Sequence, residues 1–286
     1  MTLWLIQSLN SLALGGLFFL LSAGFSLIFG LMRIANLSHG GYFMLGAYVG
    51  LSVLRSGGGF VLAIASGAAA IAVLGGLIER FLLRRLAARP LSQVLVTLGI
   101  AFIISDACLM IWTGDPIPLP IPAALQGVVR MGEVAFPLYR MSVAGLSVLV
   151  ALALWLLMER TRLGAMIRAG VDDMEMARGL GIPVSRLFSL VFCLGAALAG
   201  AGGVLGGPIL SVYPGLDTDM LPLALVVVIL GGVGSLLGAF VGSFVIGFVY
   251  TFGQSFLPDL AYMILFIPMV VVLAVRPRGL FGRISA

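Results

Sequence analysis

Apolar runs close to the thickness of a bilayer core recur along this chain, and its arginines fall between them. A helix needs ~20 such residues to span the hydrocarbon layer. Runs of this kind cover Leu9–Gly30, Phe60–Leu83, Val94–Trp112, Met141–Met158, Leu187–Gly206 and Leu260–Val275, with a shorter one at Tyr42–Leu54. Residues 221–251 are also apolar, too long a run for one upright helix, and they contain Gly231, Gly232 and Gly234. Two shorter helices or a broken pair are expected there. Only 9% of the 286 residues are charged, against ~25% in soluble domains, so the surface must face lipid. No hydrophilic stretch is long enough to fold separately. The expectation is one all-α integral membrane domain over residues 1–286, with about eight transmembrane helices, some short or broken.

The longest loop of the first half is Thr113–Tyr139, with prolines at 116, 118, 120, 122 and 137. Prolines at alternate positions exclude helix and favour an extended chain. Val128–Arg130 and Glu133–Phe136, joined through Met131-Gly132, are spaced for a small hairpin. All basic residues are arginine, and segments 79–89, 159–186 and the C-terminal tail hold twelve of the sixteen. Arginines in short loops act as topology signals, which leaves no reason to invoke nucleic acid. All three segments are placed in the cytoplasm. The proline loop is then outside, and 221–251 must cross twice or re-enter. Counting back puts Arg33 inside, Arg55 outside and the N-terminus outside. No basic residue precedes the first apolar run, so no cleaved signal peptide is expected. Cys108 and Cys193 lie in apolar segments and read as small buried hydrophobes.

Glycine supplies 39 residues. Membrane helices meet through small residues rather than through hydrophobic burial. Gly195, Ala199 and Gly203 share one helical face by spacing, and Gly234, Gly238 and Gly242 do the same. Both stripes are expected to serve close helix packing, within the chain or at a dimer interface.

The chain has one histidine, no Cys/His cluster and no paired carboxylates within its spans, so no metal site assembles by usual spacing. It lacks a phosphate-cradling P-loop, GxSxG and HExxH, so no cofactor is expected in this chain. Any ATP that drives it is hydrolysed by another subunit. The most informative polar segment is 159–186. Asp172 or Asp173 is placed to cap a short helix over about 173–180. Gly181 is a natural stop, with Pro183 after it. Such a helix lies on the membrane, docks into a partner, or merely connects two spans.

A second polar group is Asn36, Ser38 and His39, with Gly40 and Gly41 behind it. The glycines allow the backbone to break there. These side chains either satisfy a broken helix or belong to a pathway or gate. Asp106 lies ~18 Å along its helix from the cytoplasmic start, past the midplane. An intramembrane acid is a pathway candidate by default. Asp217 and Asp219 fall in a short outer loop, solvated or facing a partner.

Glu175-Met176-Ala177-x-x-x-Gly181 resembles the E-A-A-x-x-x-G loop of bacterial ABC importer permeases, departing from it at Met176. Residues 159–207, "LIFGLMRIANLSHGGYFMLGAY" at 27–48, "TGDP" at 113–116 and "VVILGGVGSLLGAFVG" at 227–242 resemble, in order, the permeases for branched-chain amino acids of the LivH type. The likeness covers essentially the whole chain. It implies a permease subunit of the bacterial inner membrane, paired with a second and usually different permease. It also implies two ATPases using ATP and Mg and a periplasmic or lipid-anchored substrate-binding protein. Asp172, Asp173, Glu175, Ala177, Arg178 and Gly181 then form the ATPase-coupling segment. Asn36, Ser38, His39, Gly40 and Asp106 stand as pathway or gate residues. Sibling systems carry urea or short amides. The competing reading is an ion-coupled secondary transporter with its site at the broken helix near Asn36–Gly41.

Overall fold

The computed structural model describes residues 2–32, 36–86, 89–132 and 134–282. Its elements run α1 (Thr2–Met32), α2 (His39–Arg55), α3 (Phe60–Phe81), a 3-10 turn (Leu83–Leu86), α4 (Pro90–Trp112), β1 (Val128–Met131), β2 (Val134–Pro137) and α5 (Leu138–Arg160). Then follow α6 (Arg162–Asp172), α7 (Met174–Gly179), α8 (Val184–Leu210), α9 (Leu216–Gly231), α10 (Leu236–Phe256) and α11 (Ala261–Val275). Among the described residues, seven helical segments are long and apolar enough to cross a membrane: α1, α3, α4, α5, α8, α10, and α11 together with the 3-10 turn Pro258–Leu260 that leads into it. The shorter α2 and α9 are wedged among them.

In lipid every backbone polar group must be paired within the protein, which is why the apolar runs are helical throughout. The long run at 221–251 divides as expected. A turn with Gly232 at φ 101° and Gly234 at φ 77° separates α9 from α10. Both angles are in the left-handed region that favours glycine. The small hairpin forms, with Val129 opposite Phe136 and Arg130 opposite Ala135. Ile117 pairs with Val212 beyond the end of α8, so the proline loop lies over that end of the bundle.

The ends of the described helices sort into two sets, as the arginine pattern requires, while Arg33 and Arg283 lie outside the described residues. Arg140, at the start of α5, donates to Asn10 of α1. That contact sets the N-terminus at the same end as the proline loop. At the opposite end, Leu280 N–H and Phe281 N–H donate to the Leu230 and Gly231 carbonyls. The tail therefore covers the α9–α10 turn.

α8 is the central post, packed against α1, α2 and α3. The approach is backbone to backbone. A Cβ at Gly24 would strike the Gly195 carbonyl, one at Gly46 would meet Gly200, and one at Gly203 would strike the Phe43 carbonyl. Ala199 is fully buried in the same seam. The first glycine stripe is thus intramolecular packing. The second is split. Gly238 and Gly242 pack α10 against Gly231 and Val227 of α9. Gly234 lies in the turn before α10 and not on its face, because the chain needs a positive φ there to reverse. Gly234 meets Gly30 of α1 instead.

Candidate functional site

The segment 159–186 is built from two caps. Thr161 ends α5 and opens α6, its hydroxyl accepting from Gly164 N–H at 3.2 Å and donating to the Leu157 carbonyl at 2.6 Å. α6 is amphipathic. It buries Gly164, Ile167 and Gly170, and Ile167 joins Leu187 and Val191 of α8 in a small core that also takes Leu27 of α1. Arg168 reaches back to the Met158 carbonyl and lies 3.5 Å from the Glu159 carboxylate. The sequence reading treated this stretch as loop. The Leu163, Ile167 and Gly170 spacing was its available signal.

Asp173 sits between the helices with extended backbone. Its Oδ1 accepts from Glu175 N–H and Met176 N–H, both at 2.9 Å. This satisfies two of the free donors at the start of α7. Asp173 rather than Asp172 is the cap; Asp172 is the last residue of α6. α7 is stopped by Gly181, two residues past its end at φ 81°, whose N–H donates to the Arg178 carbonyl while Ile182 N–H donates to that of Ala177. Only Ala177 is buried in this helix. Glu175, Arg178 and the apolar Met176 and Leu180 are exposed, Leu180 at 75%.

The end of α3 is clamped to the start of α8 beside this loop. Glu79, 1% exposed, accepts from Arg84 Nη2 at 3.1 Å and from Ser189 Oγ at 2.7 Å. Arg84 also donates to the Ser185 carbonyl at 3.2 Å. Sequence reasoning passed over Glu79 as a topology residue. Its signal was a carboxylate one turn inside an apolar run and five residues before an arginine.

The second polar group is fully buried at the junction of α1 and α2. Asn36 Oδ1 accepts from Ser38 N–H at 3.1 Å and Ser38 Oγ at 2.6 Å, a local turn that replaces helix. Leu37 N–H donates to Thr97 Oγ1 of α4 at 3.2 Å. His39 Nε2 donates to the Leu21 carbonyl at 3.0 Å, and its ring packs on Phe25 and Tyr42 at 5.3 and 6.2 Å between centroids. Asn36 Nδ2, His39 Nδ1, Tyr42 Oη, Ser22 Oγ and Ser26 Oγ are buried without a hydrogen-bond partner among the described residues.

Asn36–Ser38 lie in the break, ahead of the glycines; Gly40 and Gly41 are helical and buried in α2. Gly40 is small for contact, since a Cβ there would lie 2.5 Å from the Asp217 carbonyl oxygen. Asp217, expected in an outer loop, is in the first turn of α9 and only 6% exposed, with Oδ1 unpartnered among the described residues. Asp219 accepts from the Tyr213 hydroxyl.

Asp106 does not join this group. α4 turns Thr97, Ile104 and Cys108 inward. Asp106 is on its exposed side with Phe102, Ile103 and Met110. Among the described residues no cluster of three His, Cys, Asp or Glu is arranged to hold a metal ion.

This geometry is that of a membrane bundle with a rigid glycine-packed post and an exposed, capped helix on its arginine-rich end. Two relatives match over nearly the whole chain, and a third over part of it. The chain is 28% identical to the high-affinity branched-chain amino acid transport system permease protein BraD of Pseudomonas aeruginosa, over 98% of this chain and 96% of that protein. It is 27% identical to LivH of Escherichia coli K12, with the same coverage of each chain. It is 32% identical to the autoinducer 2 import system permease protein LsrC of Klebsiella pneumoniae, over 60% of this chain and 49% of that one. No solved structure matches. The profile of the family described as branched-chain amino acid transport system / permease component matches residues 7–273. The chain is therefore a multi-pass membrane transport permease that belongs to the branched-chain amino acid permease-component family.

Proposed function

We propose that this chain is one of two membrane-spanning subunits of a binding-protein-dependent ABC importer for branched-chain or related hydrophobic amino acids in a bacterial plasma membrane. In this reading ATP and Mg act in two partner ATPases. α7 is the coupling helix, and a binding protein delivers cargo to the side of the proline loop. The observation that carries the reading is α7 itself: six residues, capped at both ends and exposed except at Ala177. Isolated helices this short do not hold together in water. This one is held by Asp173 and Gly181 while presenting Met176 and Leu180 to solvent, a surface suited to a protein groove.

The chain transmits a push on α7 by short links. Residues 180–183 lead directly into α8, whose start is tied to α3 through Ser185, Ser189, Arg84 and Glu79. α8 and α3 then share a seam without side-chain slack, where a Cβ at Gly75 would lie 2.7 Å from Ala196 Cβ. Close-packed interiors transmit displacement rather than absorb it. A shift of α7 moves α8 and α3 together, and the buried turn at Asn36–His39 lies against the same group of helices. Asn36, Ser38 and His39 are proposed to respond to that movement at the gate.

The test is twofold. Mild-detergent purification of the tagged protein should recover two ATPases and a second permease. Reversing charge at Asp173 and Glu175 together should leave the protein in the membrane and abolish ATP-dependent uptake. Recovery of the chain alone, active in proteoliposomes on an ion gradient, would replace this reading with the ion-coupled transporter.

A further inference from the structure

The cytoplasmic ends of α3 and α8 enclose a cleft of about 970 Å³, beside the Glu79–Arg84 clamp and lined by part of it. Four arginines line it: Arg80 and Arg84 from α3 and the turn after it, Arg178 from α7, and Arg186 from the first turn of α8. No carboxylate is among its lining residues. Arg84 is neutralised by Glu79. Arg80, Arg178 and Arg186 have no carboxylate within salt-bridge distance among the described residues. Three uncompensated positive charges thus face one cavity. The lining changes character along α8: Ser185 and Arg186 stand at the helix start, and Leu190 and Cys193 line the wall farther along the span. Cys193 is nine residues into α8, ~14 Å along the axis. The apolar wall therefore rises toward the hydrocarbon layer while the arginines remain at its edge.

We infer that this cleft binds the phosphate headgroup of an anionic phospholipid of the cytoplasmic leaflet, with the acyl chains running up the Leu190–Cys193 wall. Guanidinium pairs phosphate oxygens through two parallel N–H bonds, which makes arginine the suited partner. Basic pockets between helix ends at this surface select anionic over neutral lipid. The lipid so held bridges Arg178 on α7 to α3 and α8, which joins the coupling segment to the membrane.

The test is lipid retention, and it does not depend on cargo or on ATP hydrolysis. The full-length protein in neutral detergent is titrated with phosphatidylglycerol or phosphatidylcholine, and bound lipid is counted by native mass spectrometry. A basic residue near an anionic lipid surface is worth about fivefold in binding, so Arg80→Gln/Arg186→Gln should lower phosphatidylglycerol retention ~25-fold. Arg80→Lys/Arg186→Lys should restore most of it and serves as the control for folding. Equal retention of the two lipids by the wild type, or equal phosphatidylglycerol retention by wild type and Gln variant, overturns the proposal. Retention of inorganic phosphate without preference for anionic lipid assigns the cleft to a soluble phosphate and overturns it too. An anionic-lipid signal that appears only after an ATPase subunit is removed assigns the arginines to that protein instead.

Discussion

Gly200 sits where α8 crosses α3, and adding one methyl group there measures how rigid the central post is. A Cβ at Gly200 would lie 2.7 Å from the Gly67 carbonyl oxygen and 2.9 Å from Ile71 Cβ. Carbon–oxygen contacts between helix backbones settle at ~3.3 Å or more, and carbon–carbon contacts at ~3.5–4.0 Å. The α3–α8 seam must therefore open by about 0.6 Å. That gap forfeits about a quarter of the dispersion well for the atoms facing across it. Overpacking of this kind costs ~1–3 kcal/mol, and the better helix propensity of alanine returns at most ~1 kcal/mol. The control is Gly99→Ala in α4, where nothing lies within 4 Å of the added atom, so only the propensity gain applies. The two variants should differ by ~1–3 kcal/mol, with Gly200→Ala the less stable. At about 2–4 °C per kcal/mol, that separates their unfolding midpoints by several degrees. Thermal unfolding in detergent, followed by size-exclusion chromatography, reads the difference directly. Coincident midpoints, or a lower midpoint for Gly99→Ala, would refute the claim that helix-to-helix backbone contact holds this bundle.

Two further outcomes follow from buried carboxylates. Glu79→Gln should cost only ~1 kcal/mol, because Arg84 is 40% exposed and water screens its charge. Glu79→Ala removes the carboxylate that Ser189 and Arg84 share, leaves a void in its place and should cost ~2–3 kcal/mol; Ala no worse than Gln in thermal unfolding would show that the clamp is not holding α3 to α8. Asp217 is buried with an unpartnered oxygen and no cation within salt-bridge distance among the described residues. Burying an unpaired carboxylate is costly, so the near-isosteric Asp217→Asn should unfold at the same temperature or higher. A drop of more than a few degrees would mean that the native acid has a partner.

The loops show where reading along the chain succeeded and where it stopped. The α7 boundaries were legible because they depend on local chemistry: a carboxylate one residue before the helix, and a glycine free to take φ 81° two residues after it. The proline run and the hairpin were legible for the same reason. α6 was passed over, since five arginines in 159–186 masked a short apolar stripe whose partner is 20 residues later in α8. Asp217 was misplaced because Gly207 and Pro208 looked like a helix end. In the structure α8 runs through both to Leu210, since a proline near the end of a membrane helix is tolerated when neighbours pair the freed groups.

By itself the sequence determined what each residue can afford within lipid. Apolar runs of bilayer length had to be helices, arginines had to mark one side, and 39 glycines had to bring helices close. Those are demands of solvent and covalent geometry, and they act on each segment separately. Which helices meet was left to tertiary structure, because the driving force between membrane helices is shape rather than hydrophobicity. Gly203 and Gly234 are alike as letters; one lets α8 touch the Phe43 carbonyl, and the other turns the chain between α9 and α10. Asp106 and Asp217 are alike in the same way. The packing of α4 sends the first to an exposed face, and the contact of α9 with Gly40 buries the second.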